Sequence, residues 1–196
     1  MGNNYIITIG REYGSGGFEI GKKLAEKLGI KFYDKNLIDE VAKKSGIHID
    51  MLRKGDEKAV SSWFNPVYQD GTINDRIFWA QSDVIREIAE NESCVIIGRC
   101  ADYVLKDHKN IIKIFVQAPF EDRVNRICNK YLIEVPDEAK REIIKTDKQR
   151  RSYYEFYTDY TWGGRKHHDL IINSSVLGID GTVDFIKAFI DNKLND

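Results

Sequence analysis

The residues with the clearest chemical potential lie in ITIGREYGSGGFEIGKKLAEKLG, where an apolar run ends in a glycine-rich turn and a segment of helical period begins. Glycines at 14, 16 and 17 let the backbone take positive φ and approach an anion closely. The first N–H groups of the following helix, at its positive dipole end, then face that anion. The residues expected to touch a bound polyphosphate are Gly10, Arg11, Gly14, Ser15, Gly16, Gly17 and Phe18. A turn that merely packs tightly is the plainer account of a glycine cluster. The strand before it and the helix after it favour the phosphate cradle.

The stretch departs from the Walker pattern, which places four residues between its first Gly and a Gly-Lys-Ser/Thr. With Gly14-Ser15-Gly16 laid on the last Gly-x-Gly of that pattern, Gly17 stands at the lysine and Arg11 at the first glycine. The cation that normally sits on the transferred phosphoryl group must then come from elsewhere. Arg11, Lys22 and Lys23 are nearby, and Arg11 is preferred because it belongs to the loop; a solvated helix face accounts for the two lysines.

Other clusters are less specific. Lys140, Arg141, Lys145, Lys148, Arg150 and Arg151 precede Tyr153, Tyr154, Phe156, Tyr157 and Tyr160 in one segment from Pro136 to Trp162, read as a long helix or helix pair. Cys94, Cys100 and Cys128 lack paired ligand spacing, and His48, His108, His167 and His168 are scattered, so no metal site is expected. An aromatic stretch from Ser61 to Ala80 carries Trp63, Phe64, Phe78 and Trp79, with a helix starting near Thr72. It offers a homo-oligomer contact or simple core packing.

The elements that must position these groups follow from periodicity. Apolar β-rich runs at Tyr5 to Ile9, Lys31 to Tyr33, Cys94 to Ile97, Ile111 to Val116 and Leu170 to Ile172 alternate with segments of helical spacing, the pattern of an α/β fold with a mainly parallel sheet. Ile20, Leu24 and Leu28 form an amphipathic stripe closed by Gly29; a second helix should follow Asp34 with Leu37, Val41 and Ala42. Val183, Ile186, Phe189, Ile190 and Leu194 mark a last one.

A chain of 196 residues, 42% of them hydrophobic, suffices for one buried core and is short for two domains. Its 30 basic and 31 acidic residues nearly cancel, so no global field draws it to nucleic acid or to an anionic membrane. No apolar run reaches membrane-spanning length. With its unpaired cysteines, the chain reads as cytoplasmic.

In order along the chain, GREYGSGG, FYDKNLIDEVAKKSG, IIGRCADYVL, IFVQAPFEDRVNRI, DKQRRSYYEFY and HDLIINSSVLGID resemble the cytidylate kinase-like family over nearly the whole length. The resemblance implies a three-layer α/β/α P-loop fold in one domain, 1–196, with a substrate-covering insert at about 47–90 and a helical lid at about 136–162. It implies ATP with Mg²⁺, held through the nucleotide phosphates and water, and a small nucleotide or phosphorylated acceptor. Gly98-Arg99 matches a strand-end arginine that grips the acceptor phosphate. Asp34 matches an aspartate that orients substrate or holds magnesium through water, though it also suits a helix N-cap. Arg123 and Arg126 match phosphate-binding arginines, with surface pairing to Glu121 and Asp122 as the alternative. Lys148, Arg150 and Arg151 match an arginine-rich lid, so the catalytic set implied is Arg11, Arg99, Lys148, Arg150 and Arg151.

The sequence also departs from the family pattern. Arg150 and Tyr153 stand where the lid carries an aspartate and an arginine for the pyrimidine nucleoside. Cys100 and Ala101 follow Arg99, with Asp102 displaced from the expected aspartate. Two rival readings follow: a regulatory module that binds nucleotide without transfer, and an interaction protein resting on the aromatic segment, which predicts no nucleotide binding.

Overall fold

The computed structural model describes residues 4–34 and 71–195. Five strands, β1 (Ile6–Arg11), β2 (Lys31–Tyr33), β3 (Cys94–Ile97), β4 (Ile111–Gln117) and β5 (Leu170–Asn173), form one sheet in the order β2-β3-β1-β4-β5. Every pairing is parallel, with Ile6 level with both Cys94 and Ile111. The central strands are apolar at nearly every position because both of their faces are covered.

One face carries Ile7, Ile9, Val95, Ile97, Ile112 and Ile114 against helix α1 (Gly17–Leu28) and a C-terminal helix α6 (Ser174–Asn195), which is broken at Gly178. The stripe of Ile20 and Leu24 packs there, and Gly29 at φ 67° ends α1 with its N–H on the carbonyls of Ala25 and Glu26. The opposite face carries Ile6, Cys94, Ile96 and Ile111 against α2 (Gly71–Asn91) and the short α3 (Ala101–Val104). Sheet and helices thus make the expected three layers.

Two more helices leave the β4 end: α4 (Phe120–Tyr131) and α5 (Pro136–Thr158), which join through Val124, Ile127, Ala139 and Ile143. The segment expected to form a lid is therefore one long helix, and it continues past the mouth of the sheet. Its Tyr157 stacks on the buried Phe78 of α2 at 4.1 Å between ring centroids, while Trp79 beside it is exposed. Phe78 is therefore core packing. Trp63, Phe64 and the helix expected after Asp34 lie outside the described residues. No helix among the described residues is long and apolar enough to cross a membrane.

Candidate active site

Open parallel sheets present loops at the carboxyl ends of their strands, and ligands gather where neighbouring connections diverge. Here those ends belong to β1, whose loop runs from Glu12 to Gly16, and to β3, followed by Gly98, Arg99 and Cys100.

The β1 loop is held by its carbonyl groups. Ser15 donates to Glu12 O from both its N–H and its Oγ, and Arg123 Nη1 donates to Tyr13 O at 3.2 Å. Arg126 Nη1 reaches Gly14 O at 3.4 Å, and Ser174 Oγ donates to Ser15 O. A trans peptide points its N–H opposite to its C=O, so with the carbonyls of Tyr13 and Ser15 held outward the N–H groups of Gly14 and Gly16 are turned the other way, as an anion nest requires, while those of Tyr13 and Ser15 donate to Asp147 and Glu12. Gly14 and Gly16 supply the positive φ values, 81° and 80°. A side chain is barred at Gly14, where a Cβ would meet Arg123 O at 2.9 Å, whereas at Gly16 the bar is the φ of 80°, since the Ile179 Cδ1 that a Cβ would meet is the movable end of a side chain.

Arg123 and Arg126, expected to grip an acceptor phosphate, are thus turned to the loop instead of the cavity described below. Arg123 is buried and pairs with Asp147 of α5 and, at 3.6 Å, with Glu12. Asp147 Oδ1 also accepts the Tyr13 N–H at 2.7 Å, so one carboxylate ties α5 to the loop. Arg126 completes its donors on Ser174 and Ser175, at the start of α6. Surface pairs with Glu121 and Asp122 do not form; the partners come from distant chain segments.

Beside the loop lies a cavity of about 250 Å³ whose lining includes Arg11, Asp34, Arg99 and Arg150. Arginines from β1, the β3 turn and α5 line it together with two carboxylates, Asp34 and Asp102. Burial pulls the Arg11 guanidinium down to about 9, and repulsion from Arg150 and Arg99 adds to it, while Asp34 and Asp147 work the other way. Arg150 is lowered by burial too, opposed by Asp147. A site that strains its own cations in this way favours an anion that compensates them. Arg150 donates to the Arg11 carbonyl at 3.2 Å and its guanidinium lies over the Tyr13 ring.

The path of Arg11 explains the missing lysine. A Cβ on Gly17 would stand 2.6 Å from Arg11 Cβ and 3.1 Å from its Cγ, and a Cβ on Gly98 would stand 2.3 Å from Arg11 Nη1. The arginine stem therefore occupies the start of the space a residue-17 side chain would use, and its charged end lies against Gly98. The β3 turn holds this arrangement with three successive residues at positive φ: Gly98 at 70°, Arg99 at 58° and Cys100 at 54°. Two non-glycine residues in that region store backbone strain of the kind found at ligand sites.

Of Lys148, Arg150 and Arg151, the cations expected in a lid, only Arg150 lines the cavity. Lys148 is on the exposed side of α5, and Arg151 lies over the Trp162 ring, 5.5 Å from its centroid. Phe18 is half exposed and meets Phe32 edge-on, so its contribution to the loop is its backbone. Lys22 is exposed, and Lys23 pairs with Glu19 and Asp180, as a solvated helix face would.

The profile of the cytidylate kinase-like family matches residues 6–176. The chain belongs to this family. The cytidylate kinase of Methanopyrus kandleri is 30% identical over 95% of this chain and 93% of its own length, and that of Methanocaldococcus jannaschii 29% identical over 95% and 98%. A crystal structure of an uncharacterized protein from Eubacterium ventriosum superposes with a TM-score of 0.75 at 32% identity, covering 96% of this chain and 99% of the other. Shikimate kinase from Bacteroides thetaiotaomicron, at 16% identity and a TM-score of 0.57, covers 95% and 98% and shares the P-loop kinase fold.

Asp102, Phe115, Tyr154, Trp162 and His168 line the cavity's other wall. Of these residues, the sequence singled out Tyr154, as one that could stack on a base or merely pack its helix, and the displaced Asp102, and gave no sign of Phe115, Trp162 and His168. Tyr154 is buried with its hydroxyl on Asp102 at 2.5 Å, which with burial pushes its ionisation well up. The displaced position of Asp102 was visible as a departure from the family pattern. His168 gave no local signal: its ring bonds Gly164 four residues before it, but the groups it faces, Asp102 and Phe115, come from α3 and β4.

Proposed function

We propose that this chain transfers the γ-phosphoryl group of ATP to a nucleoside monophosphate, with CMP the first acceptor to test. The observation that carries the reading is the convergence of Arg11, Arg99 and Arg150 with Asp34 on one cavity beside the glycine loop. The names of the family and of its relatives support the nucleotide acceptor.

ATP as its magnesium complex supplies the phosphoryl group. The loop backbone from Gly14 to Phe18 would hold the polyphosphate, since the described carbonyls face outward and side chains are excluded at Gly14 and Gly16. Arg99 grips the acceptor phosphate, and Arg150 neutralises charge from the lid side. Arg11 lies between the loop and the β3 turn, the position from which a single cation serves both groups. Asp34 would orient the acceptor or help hold magnesium through water. The acceptor oxygen of a monophosphate is already anionic near neutral pH, so catalysis reduces to positioning and charge neutralisation and needs no strong base.

An ADP-release assay with ATP and magnesium, run over a panel of nucleoside monophosphates and other small phosphorylated or hydroxyl acceptors beside direct ATP binding, tests this. Release that depends on a nucleoside monophosphate supports the reading. Tight ATP binding with no release on any acceptor overturns it and favours a regulatory module, which the glycine at position 17 would suit.

A further inference from the structure

Ile143, Asp147, Arg150, Tyr154 and Tyr157 of α5 follow one another at alternating spacings of four and three residues, which puts all of them on one face of the helix. Each meets a different part of the molecule. Ile143 is buried against α4. Asp147 accepts the Tyr13 N–H and pairs with Arg123, and Arg150 donates to the Arg11 carbonyl. Tyr154 donates to Asp102 of α3. Tyr157 stacks on Phe78 of α2, and its hydroxyl donates to Asp75 Oδ1 at 3.2 Å. On the flank of this stripe Tyr153 donates to the buried Gln81 of α2 at 3.3 Å. Arg150 therefore lies between anchors: Asp147 one turn before it, Tyr154 one turn after and Tyr157 two turns after.

A segment that swings over a site is drawn from the loosely held parts of a structure and turns about one end. Helix α5 is held at both ends, by the apolar cluster with α4 at its start and by the cluster of Phe78, Cys100 and Tyr154 further along. Lifting its second half would uncover Phe78 and Tyr154, which are 3% and 7% exposed, and would break three tyrosine hydrogen bonds together. We propose that α5 stays docked through turnover as a fixed wall, so that Arg150 is held at the cavity and not delivered to it by a closing lid, and that Tyr157 is the positioning residue that sets it there. Tyr157 stands outside the cavity lining and acts through the helix, whose seat on α2 it fixes. The docking stands on the contacts alone; the role of Tyr157 in catalysis rests on the acceptor reading above.

Two measurements on the full chain test this. In a Cys128→Ser protein, where the remaining native cysteines are buried, spin labels at Lys22→Cys on α1 and Ser152→Cys on α5 are expected to give one distance, the same with and without a non-hydrolysable ATP analogue, magnesium and CMP. A second, longer distance in the free protein that the ligands remove would overturn the docking, and this readout needs no change at Tyr157. In kinetics with CMP, Tyr157→Leu is expected to lower kcat/KM about tenfold in the presence of Arg150 and less than about twofold in an Arg150→Gln background. Tyr157→Phe, which keeps the stack, should stay within about threefold of the parent. Equal losses in the two backgrounds, in proteins that remain folded, would overturn the role of Tyr157, since a merely structural residue costs the same whether or not Arg150 is present. Absence of turnover on every acceptor would remove the proposed function and that role together, and the distance measurement would still decide the docking.

Discussion

Arg11 Cβ lies 2.6 Å from the place where a Cβ on Gly17 would stand. The two positions compete for one volume, and in this chain the arginine holds it. The absent lysine and the present arginine are therefore one structural feature.

Restoring a lysine by Gly17→Lys is expected to destabilise the protein by about 1–3 kcal/mol through overpacking, without raising turnover. Adding Arg11→Gly frees the volume, so the double variant should be less destabilised than the sum of the two single changes. Urea unfolding of all four proteins measures the coupling; strict additivity would mean that the two sites do not share space.

Arg11→Gln keeps most of the stem and removes the charge. The folded guanidinium loses its proton at about 9 and the unfolded one only at the much higher ordinary arginine value, so between the two the unfolded chain binds more protons and stability rises with pH. Below about 9 the full penalty of the buried cation is present. The variant should accordingly gain about 0.5–2 kcal/mol at pH 7, lose its extra pH dependence above 9, and drop in kcat by about 10²–10³. Thermal unfolding against pH beside steady-state kinetics checks this, and wild-type turnover would remove Arg11 from the phosphoryl site.

At the β3 turn, Arg99→Gly and Arg99→Ala separate strain from charge. Arg99 sits at φ 58°, which glycine adopts freely and alanine does not. Both variants should lose about 10–100-fold in kcat/KM for the acceptor, the value of about 1.5–3 kcal/mol in charged hydrogen bonds. Only the glycine variant should match or exceed wild-type stability, by up to about 1 kcal/mol. Equal melting temperatures would show that the turn stores no strain at this residue.

Asp147→Asn leaves Arg123 buried with Glu12 at 3.6 Å as its remaining carboxylate. A loss of about 3 kcal/mol is expected from breaking a buried pair on one side, together with weaker ATP binding because Tyr13 loses a carboxylate partner. Replacing both partners, Asp147→Leu with Arg123→Met, should recover part of the stability and none of the ATP affinity. Denaturation and calorimetry read the two effects separately.

Local chemistry made much of this protein legible in its sequence. Glycines between an apolar run and a helical stripe determined the loop, because positive φ and the absence of Cβ are properties of single residues. Continuous apolar runs such as Ile111 to Val116 announced strands buried on both faces, and Gly29 announced the end of α1. The arginines were readable as cations near phosphate, but their jobs were not. Arg123 and Arg126 look alike and lie three apart, yet both serve as braces of the loop, since Asp147, Ser174 and the loop carbonyls reach them first. Lys148, Arg150 and Arg151 look like one cluster, yet helical rotation sends only Arg150 into the cavity. The sequence by itself determined which groups could meet a phosphate and on what kind of fold. Only tertiary structure decided which cation fills the lysine's space and that Asp102, Tyr154 and His168 line one cavity with the arginines, because those relations depend on distances between segments far apart in the chain, and no local preference encodes them.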